Sequence, residues 1–146
     1  MTLLRAELLH RAKAAIMDQD RGGALTNAWM AIEGLLGDEF KRYLDDNEDR
    51  TGAIDPSGNA VKFIDRKRRD FLEGAEMTAR LTAEFLSLAD RLPFHLYRAT
   101  VRCGKARNDW LHAQKGVSHE DAHAALLAAG ELFELVEGVP LRQVAA

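Results

Sequence analysis

The sequence predicts an all-α protein, an up-down bundle of four to five helices. Apolar residues recur at the helical period in each long segment of the chain. Aromatic residues make up only 7% and prolines number three, which favours helices over a sheet-rich fold. The 146 residues fit one domain, so we expect residues 1–146 to fold as a single helical unit.

The first helix is predicted over residues 2–18, with Gly22-Gly23 ending it. Its apolar positions share the helical period: Leu4, Leu8, Ala12 and Ile16. The second helix, over residues 24–46, has the strongest amphipathic pattern in the chain. Its apolar stripe consists of Leu25, Trp29, Ile32, Leu36, Phe40 and Tyr43. Glu33 lies at the edge of this stripe.

The middle of the chain begins with a polar, turn-forming stretch over residues 46–60, which predicts a loop. A third helical region is predicted over residues 61–91 and is stopped by Pro93. Gly74 either softens this region or divides it in two. Its shared apolar face consists of Ile64, Phe71, Ala75, Phe85, Leu86 and Ala89.

Two more helices are predicted over residues about 94–113 and 119–136. Ser118 has the character of an N-cap for the last helix, with Asp121 in the capping-box position. The buried face of that helix is predicted to consist of Ala122, Leu126, Ala129, Phe133 and Val136.

Composition limits the classes of function. The net charge is −3, whereas a protein that simply coats nucleic acid is usually basic, so any nucleic acid would bind through a local patch. Cys103 is the only cysteine, which excludes an intrachain disulfide and a cysteine zinc cluster and fits a reducing cytoplasm. The chain has no signal-peptide hydrophobic region and no transmembrane run, so we expect a cytoplasmic protein with no membrane partner.

The segment R-N-D-W-L-H, residues 107–112, carries the strongest chemical signal. His112 can take a proton near neutral pH. Arg107 stays charged and can hold a phosphate with two hydrogen bonds. Asn108 can orient either of them. These are side chains with which a protein can cleave RNA without a metal.

A helical wheel sets Arg107 and His112 about 140° apart, because five residues separate them. Arg107 falls on the apolar side of the helix. Three explanations are open. The helix ends or distorts near Leu111, or the apolar side is a subunit interface where two copies of Arg107 meet. Alternatively, Arg107 is buried against a carboxylate, for which Glu33 is the candidate partner.

Two basic groups could contact phosphates. Arg98, Arg102 and Lys105 share the polar side of the helix with His112 and Asn108, and are candidate substrate-binding residues. The run over residues 66–69, R-K-R-R, would extend this positive surface. By itself, that run reads more simply as a solvated helix face.

The remaining reactive side chains favour structural interpretations. His119 and His123 form an i, i+4 pair that could bind zinc only if further ligands converged, and no recognised metal motif is present. Trp29 and Trp110 fit core packing, and Cys103 fits a small buried hydrophobe. No Walker motif or dinucleotide fingerprint occurs, so we expect neither a cofactor nor a metal.

The chain resembles the HEPN superfamily of small helical domains. R-N-D-W-L-H is similar to that family's R-x4-6-H motif, with a polar residue directly after the arginine. The stretch A-L-T-N-A-W-M-A-I-E-G-L-L, residues 24–36, is similar to an early helix of many HEPN domains. The helix after the motif, S-H-E-D-A-H-A-A-L-L-A-A-G-E-L-F, also has the expected character, so the resemblance covers most of the chain.

The resemblance implies that Arg107 and His112 are catalytic and that Asn108 positions one of them. It implies a homodimer whose two motifs face each other, cleaving RNA without a metal to a 2′,3′-cyclic phosphate. A toxin or antiphage role, with a cognate antitoxin or sensor protein, follows from the same resemblance. One departure is Gln114, where related toxins paired with a nucleotidyltransferase antitoxin commonly have tyrosine.

Two other readings are open. The first is a non-catalytic HEPN-like module that binds RNA or a protein, or that serves for dimerisation. The second is an unrelated helical bundle in which the motif is accidental.

Overall fold

The computed structural model describes residues 2–50 and 52–144, and all regular secondary structure within them is helical. The all-α prediction is therefore confirmed, although the helices number seven rather than four or five in this part of the chain. They are α1 (Thr2–Met17), α2 (Arg21–Asp46), α3 (Arg66–Leu72), α4 (Ala79–Leu88), α5 (Phe94–His112), α6 (His119–Glu137) and α7 (Leu141–Val144).

The core lies where α1, α2 and α6 pack against one another. Helix α5 packs against both α6 and α2, and α4 packs against α2 and α5. The predicted stripe of α2 is buried from Leu25 to Phe40, and only Tyr43 is half-buried. The predicted face of α6 is also buried, with Leu126 half-buried as its exception. The helical period therefore identified the packed faces of both long helices.

The junction between α1 and α2 differs from the prediction. Gly22-Gly23 does not end the first helix, because α1 ends at Met17 and both glycines lie in the first turn of α2. Asp20 starts the new helix, since its Oδ1 accepts the N–H of Gly23 at 2.9 Å. A Cβ at Gly22 would lie 2.4 Å from Cζ2 of Trp110, so this glycine serves close packing rather than a turn.

The predicted face of α1 is partly confirmed, because Leu8 and Ala12 are buried and Ile16 is half-buried. Leu4 is 49% exposed, so it does not belong to the core. The buried residues of α1 also include Ala6 and Leu9. This set faces both α2 and α6, which widens the buried stripe beyond a single row of the helical wheel.

The third helical region, predicted over residues 61–91, is divided in two around Gly74, which is one of the two alternatives that the sequence left open. The structure has two helices there, α3 and α4, and residues 73–78 between them are not helical. Thr78 begins α4 by accepting the N–H of Leu81 at 3.3 Å. The shared face is also only partly realised, since Leu86 is buried whereas Phe71 is 73% exposed.

The described residues between 47 and 65 form turns and irregular backbone and no helix. An isolated antiparallel bridge joins Ile54 to Ala60. Asp55 organises the turn, because its Oδ1 accepts the N–H groups of Ser57 and Asn59, both at 2.9 Å. These hydrogen bonds, first that from the backbone of Asn59, lower the pKa of Asp55. The predicted polar loop thus has an internal structure of its own.

A buried carboxylate connects α2 to the start of α5. Glu39 is 8% exposed and accepts hydrogen bonds from Arg42 at 2.9 Å and Arg91 at 3.1 Å. Arg42 also donates to the carbonyl of Val136 in α6 at 2.9 Å. Arg91 lies just before α5 and also pairs with Asp46. This network fixes the point from which α5 departs.

None of the helices in the described part of the chain combines the length and apolar character needed to cross a membrane.

Candidate functional site

The predicted motif occupies the last two turns of α5. Only the first part of this helix is buried, through Leu96, Thr100 and Cys103. The chain leaves α5 through a tight turn, in which the N–H groups of Ala113 and Lys115 both donate to the carbonyl of Asp109 at 3.1 Å. Residues 107–112 therefore project beyond the core on a regular helix.

Arg107 is half-buried and is held by its neighbour. Its Nη1 donates to Oδ1 of Asn108 at 3.1 Å. The predicted ion pair between Arg107 and Glu33 does not form. Among the described residues, no carboxylate oxygen lies within 4.0 Å of the guanidinium. Burial against a carboxylate therefore does not explain its place on the apolar side.

His112 is the last residue of α5, and its side chain is exposed. Because α5 stays helical up to this residue, no distortion swings the imidazole towards Arg107. His112 does not line the groove that contains Arg107 and Asn108. Of the three explanations for the helical wheel, only an interface with a second copy could still bring these side chains together.

That groove lies between α2, the start of α4 and the second half of α5, and has a volume of about 720 Å³. Its α5 side approaches α2 closely, since a Cβ at Gly104 would lie 3.0 Å from Cη2 of Trp29. The buried indole N–H of Trp29 has no acceptor among the described residues. The groove is lined by Trp29, Glu33, Thr78, Ala79, Arg80, Thr100, Val101, Gly104, Lys105, Arg107, Asn108 and Asp109.

Most charges of this groove are already paired. Lys105 Nζ lies 2.7 Å from Oδ2 of Asp109, and its hydrogen bond lowers the pKa of that carboxyl. Arg80 lies 2.8 Å from Glu84. Within the described residues, Glu33 has no cation within 4.0 Å. Glu33 and Arg107 are thus the charged groups of the groove without an oppositely charged neighbour.

The predicted substrate-binding residues lie beside this groove. Arg98, Arg102 and Lys105 surround a shallow depression of about 310 Å³ together with Tyr97 and Val101. Arg102 is 2.9 Å from Asp121 and Lys105 is paired with Asp109, so two of the three cations would have to exchange a carboxylate for a phosphate.

The basic run over residues 66–69 does not extend this surface. It forms most of α3, and none of its four residues lines the groove or the depression. Arg69 pairs with Asp45 at 2.5 Å, and the Arg68 guanidinium lies 4.5 Å from the centre of the Phe63 ring. Arg69 therefore contacts α2 and Arg68 contacts the segment before α3, while the first three residues of the run are exposed. The predicted continuous positive groove is not formed by the run.

The other reactive side chains of the sequence lie outside the groove, apart from Trp29. Burial raises the pKa of the Cys103 thiol to about 12, which leaves it unreactive at neutral pH. Trp110 is half-buried against Gly22. The rings of His119 and His123 stack with centroids 6.0 Å apart. In residues 2–50 and 52–144, no three His, Cys, Asp or Glu side chains converge as metal ligands would.

Sequence reasoning missed the wall of the groove supplied by Thr78, Ala79 and Arg80. These residues lie in the predicted helical region over residues 61–91, and no local signal in the sequence marks them as facing the motif. No protein-family model, curated protein or solved structure matches the chain.

Proposed function

We propose that this chain is a HEPN-type endoribonuclease that cleaves RNA without a metal. Arg107 and His112 would be the catalytic residues, and Asn108 would position Arg107. The active unit would be a homodimer. A toxin or antiphage-defence role, with a separate antitoxin or sensor protein, belongs to the same proposal.

The observation that carries this proposal is that Arg107 has no ion-pair partner among the described residues. Its guanidinium is half-buried at the edge of a groove and is held by the amide of Asn108 at 3.1 Å. No carboxylate among the described residues occupies its remaining donors. An arginine with free donors is the group needed to bind a phosphate and to stabilise its extra charge in the transition state.

The exposed end of α5 supports a site completed by a second copy. Leu111 is 46% exposed and His112 is exposed beside it. On the helical wheel, Leu111 lies about 40° from Arg107, so an apolar contact there would bring a partner towards Arg107. The groove of one protomer would then receive a histidine from the motif of its partner, because His112 of the same chain does not line that groove.

The proposed reaction is an internal transfer at phosphorus. The ribose 2′-oxygen forms a bond to the adjacent phosphorus while His112 takes its proton. Arg107 stabilises the added negative charge on the phosphorane oxygens. The bond from phosphorus to the 5′-oxygen then breaks, and the proton is delivered to that oxygen. The products are a 2′,3′-cyclic phosphate and a 5′-hydroxyl.

The first experiment is cleavage of total cellular RNA in EDTA by wild type, His112→Ala and Arg107→Ala. We expect cyclic-phosphate ends from wild type and a loss of rate of about 10²–10⁴-fold in either variant. His123→Ala is the matched control, because it removes an exposed histidine of α6 away from the groove. Equal cleavage by wild type and His112→Ala would refute the assignment.

A mixing experiment tests the second copy. If Arg107 and His112 of one site come from different chains, mixed dimers of the two inactive variants contain one intact site. Random mixing should then restore about one quarter of wild-type activity, since half of the dimers are mixed and each has one of two sites. No restoration despite confirmed exchange of subunits would place both residues of a site in one chain.

A binding module without catalysis is the second candidate function. It is favoured by one observation, that His112 receives no hydrogen bond from the described residues that would fix its tautomer and orientation. That function predicts RNA or protein binding by pure protein, no cleavage, and no effect of His112→Ala on growth inhibition.

A further inference from the structure

The groove between α2, α4 and α5 contains two charged groups of opposite sign that do not meet. The Glu33 carboxylate has no cation within 4.0 Å, and the Arg107 guanidinium has no carboxylate within the same distance, among the described residues. Both line one space of about 720 Å³. Glu33 is exposed and Arg107 is half-buried, so both remain accessible from the groove. A ligand that contacts both would offer hydrogen-bond donors to Glu33 and negative charge to Arg107.

The size and walls of the groove suit a nucleotide. Pockets for small ligands commonly have volumes of about 300–1,000 Å³. Trp29, Ala79 and Val101 give the groove apolar surface, and Gly104 leaves the α5 wall without a side chain. An aromatic base can lie against such a surface, since its faces are apolar and its edges carry the polar groups.

The free carboxylate discriminates among the four RNA bases. Guanine presents two adjacent donors, N1–H and the N2 amino group, which match the two oxygens of a carboxylate. Adenine and cytosine each place a ring-nitrogen lone pair beside their amino group, and uracil flanks its single N–H with two carbonyl oxygens. A carboxylate therefore forms a bidentate pair on this edge with guanine alone.

We propose that this groove binds a guanine base of the RNA substrate. Glu33 accepts hydrogen bonds from guanine N1–H and N2, and Arg107 binds the phosphate attached to the same nucleoside. Glu33 is then a specificity residue, and the enzyme prefers to cleave beside guanine. This inference rests on the proposed function, because it takes Arg107 to be the phosphate-binding group.

Nucleotide binding can be measured without any cleavage. We expect calorimetric titration of the wild-type chain to show tighter binding of 5′-GMP than of 5′-AMP, by about 5- to 150-fold, as one good bidentate base contact provides. Glu33→Gln should remove this preference, because an amide presents a donor where guanine also presents donors. Glu134→Gln is the control, since it changes an exposed carboxylate of α6 outside this groove.

Mapping of cleavage ends separates the two proposals. Preferential cleavage beside guanine that disappears in Glu33→Gln supports both. Binding of 5′-GMP that depends on Glu33, without any RNA cleavage, supports the guanine site and refutes the nuclease. Cleavage with equal use of all four bases, or equal binding of 5′-GMP and 5′-AMP, overturns the guanine site and leaves the nuclease intact. Failure of wild type to bind 5′-GMP also overturns it.

Discussion

Helices α2 and α5 are both long and amphipathic, yet they are used differently. In α2, eleven of 26 residues are buried, and they extend from Ala24 to Leu44. In α5, three of 19 residues are buried, and the last of them is Cys103. The C-terminal half of α5 thus contributes little to the core and carries Arg107, Asn108 and His112.

The difference shows how one helical protein can separate the residues that stabilise the core from those that remain accessible. Helices α1, α2 and α6 supply most of the core residues, so the end of α5 can keep polar side chains without unfolding the protein. The start of α5 is still fixed, through Arg91 and Glu39. A rigid base and an exposed end together give a helix that presents side chains at a defined position.

The largest expected effect is the difference in Cys103 reactivity between the native protein and the unfolded chain. Cys103 is the last buried residue of α5. Its pKa of about 12 means that the thiolate forms only as the pH rises towards that value. At pH 8 we expect thiol reagents to react at least about a thousandfold more slowly than with the urea-unfolded chain. Rapid labelling of the native protein would show instead that α5 opens as far as Cys103.

A core substitution in α2 should have the next largest effect. Leu36 is fully buried, so Leu36→Ala should lower the free energy of unfolding by about 2–5 kcal/mol in urea denaturation. Leu127→Ala is the control, because Leu127 is 61% exposed and its loss should cost less than about 0.5 kcal/mol. Similar losses in both variants would contradict a core centred on α2.

The contact between the two helices can be tested at Gly22. A Cβ there would overlap the Trp110 ring, so Gly22→Ala should destabilise the protein by about 1–3 kcal/mol and shift the tryptophan fluorescence. Gly37→Ala is a matched change in the same helix with no atom within 4 Å of the new Cβ. It should stabilise by about 0.5–1 kcal/mol in thermal denaturation. Equal effects would mean that Trp110 does not pack on α2.

The smallest change in stability should come from the motif itself. The side chain of Arg107 makes one hydrogen bond, to the adjacent Asn108, so Arg107→Ala should alter the free energy of unfolding by less than about 0.5 kcal/mol. Chemical denaturation of the variant beside wild type measures this. A loss of about 2 kcal/mol or more would make Arg107 a structural residue and weaken the nuclease proposal.

The sequence was a good guide where a helix packs along its whole length. The stripes of α2 and α6 follow the helical period because both helices lie across the core. The prediction that Gly22 ends the first helix is wrong, because Gly22 packs in α2 against Trp110, which lies far along the chain. The break at residues 73–78 contains Gly74, the residue at which the sequence allowed the region to divide, but local periodicity does not give the ends of α3 and α4.

At the candidate site, too, the sequence identified local features and missed those that depend on tertiary packing. Arg107, Asn108 and His112 could be singled out because their chemistry is visible in six consecutive residues. The wall from Thr78 to Arg80 could not, because only tertiary packing brings the start of α4 to α5. The predicted ion pair between Glu33 and Arg107 could not be tested on a helical wheel. A wheel gives the directions of side chains but not the distance between their charged groups.

The turn at Asp55 has a practical consequence. Residues 56–62 are exposed, and the carboxylate of Asp55 holds the turn through hydrogen bonds within its own segment. Exposed turns of this kind tolerate insertions and new chain termini. A fluorescent reporter or an affinity handle placed after Ser57 would leave both chain ends, the helical core and the α5 groove untouched.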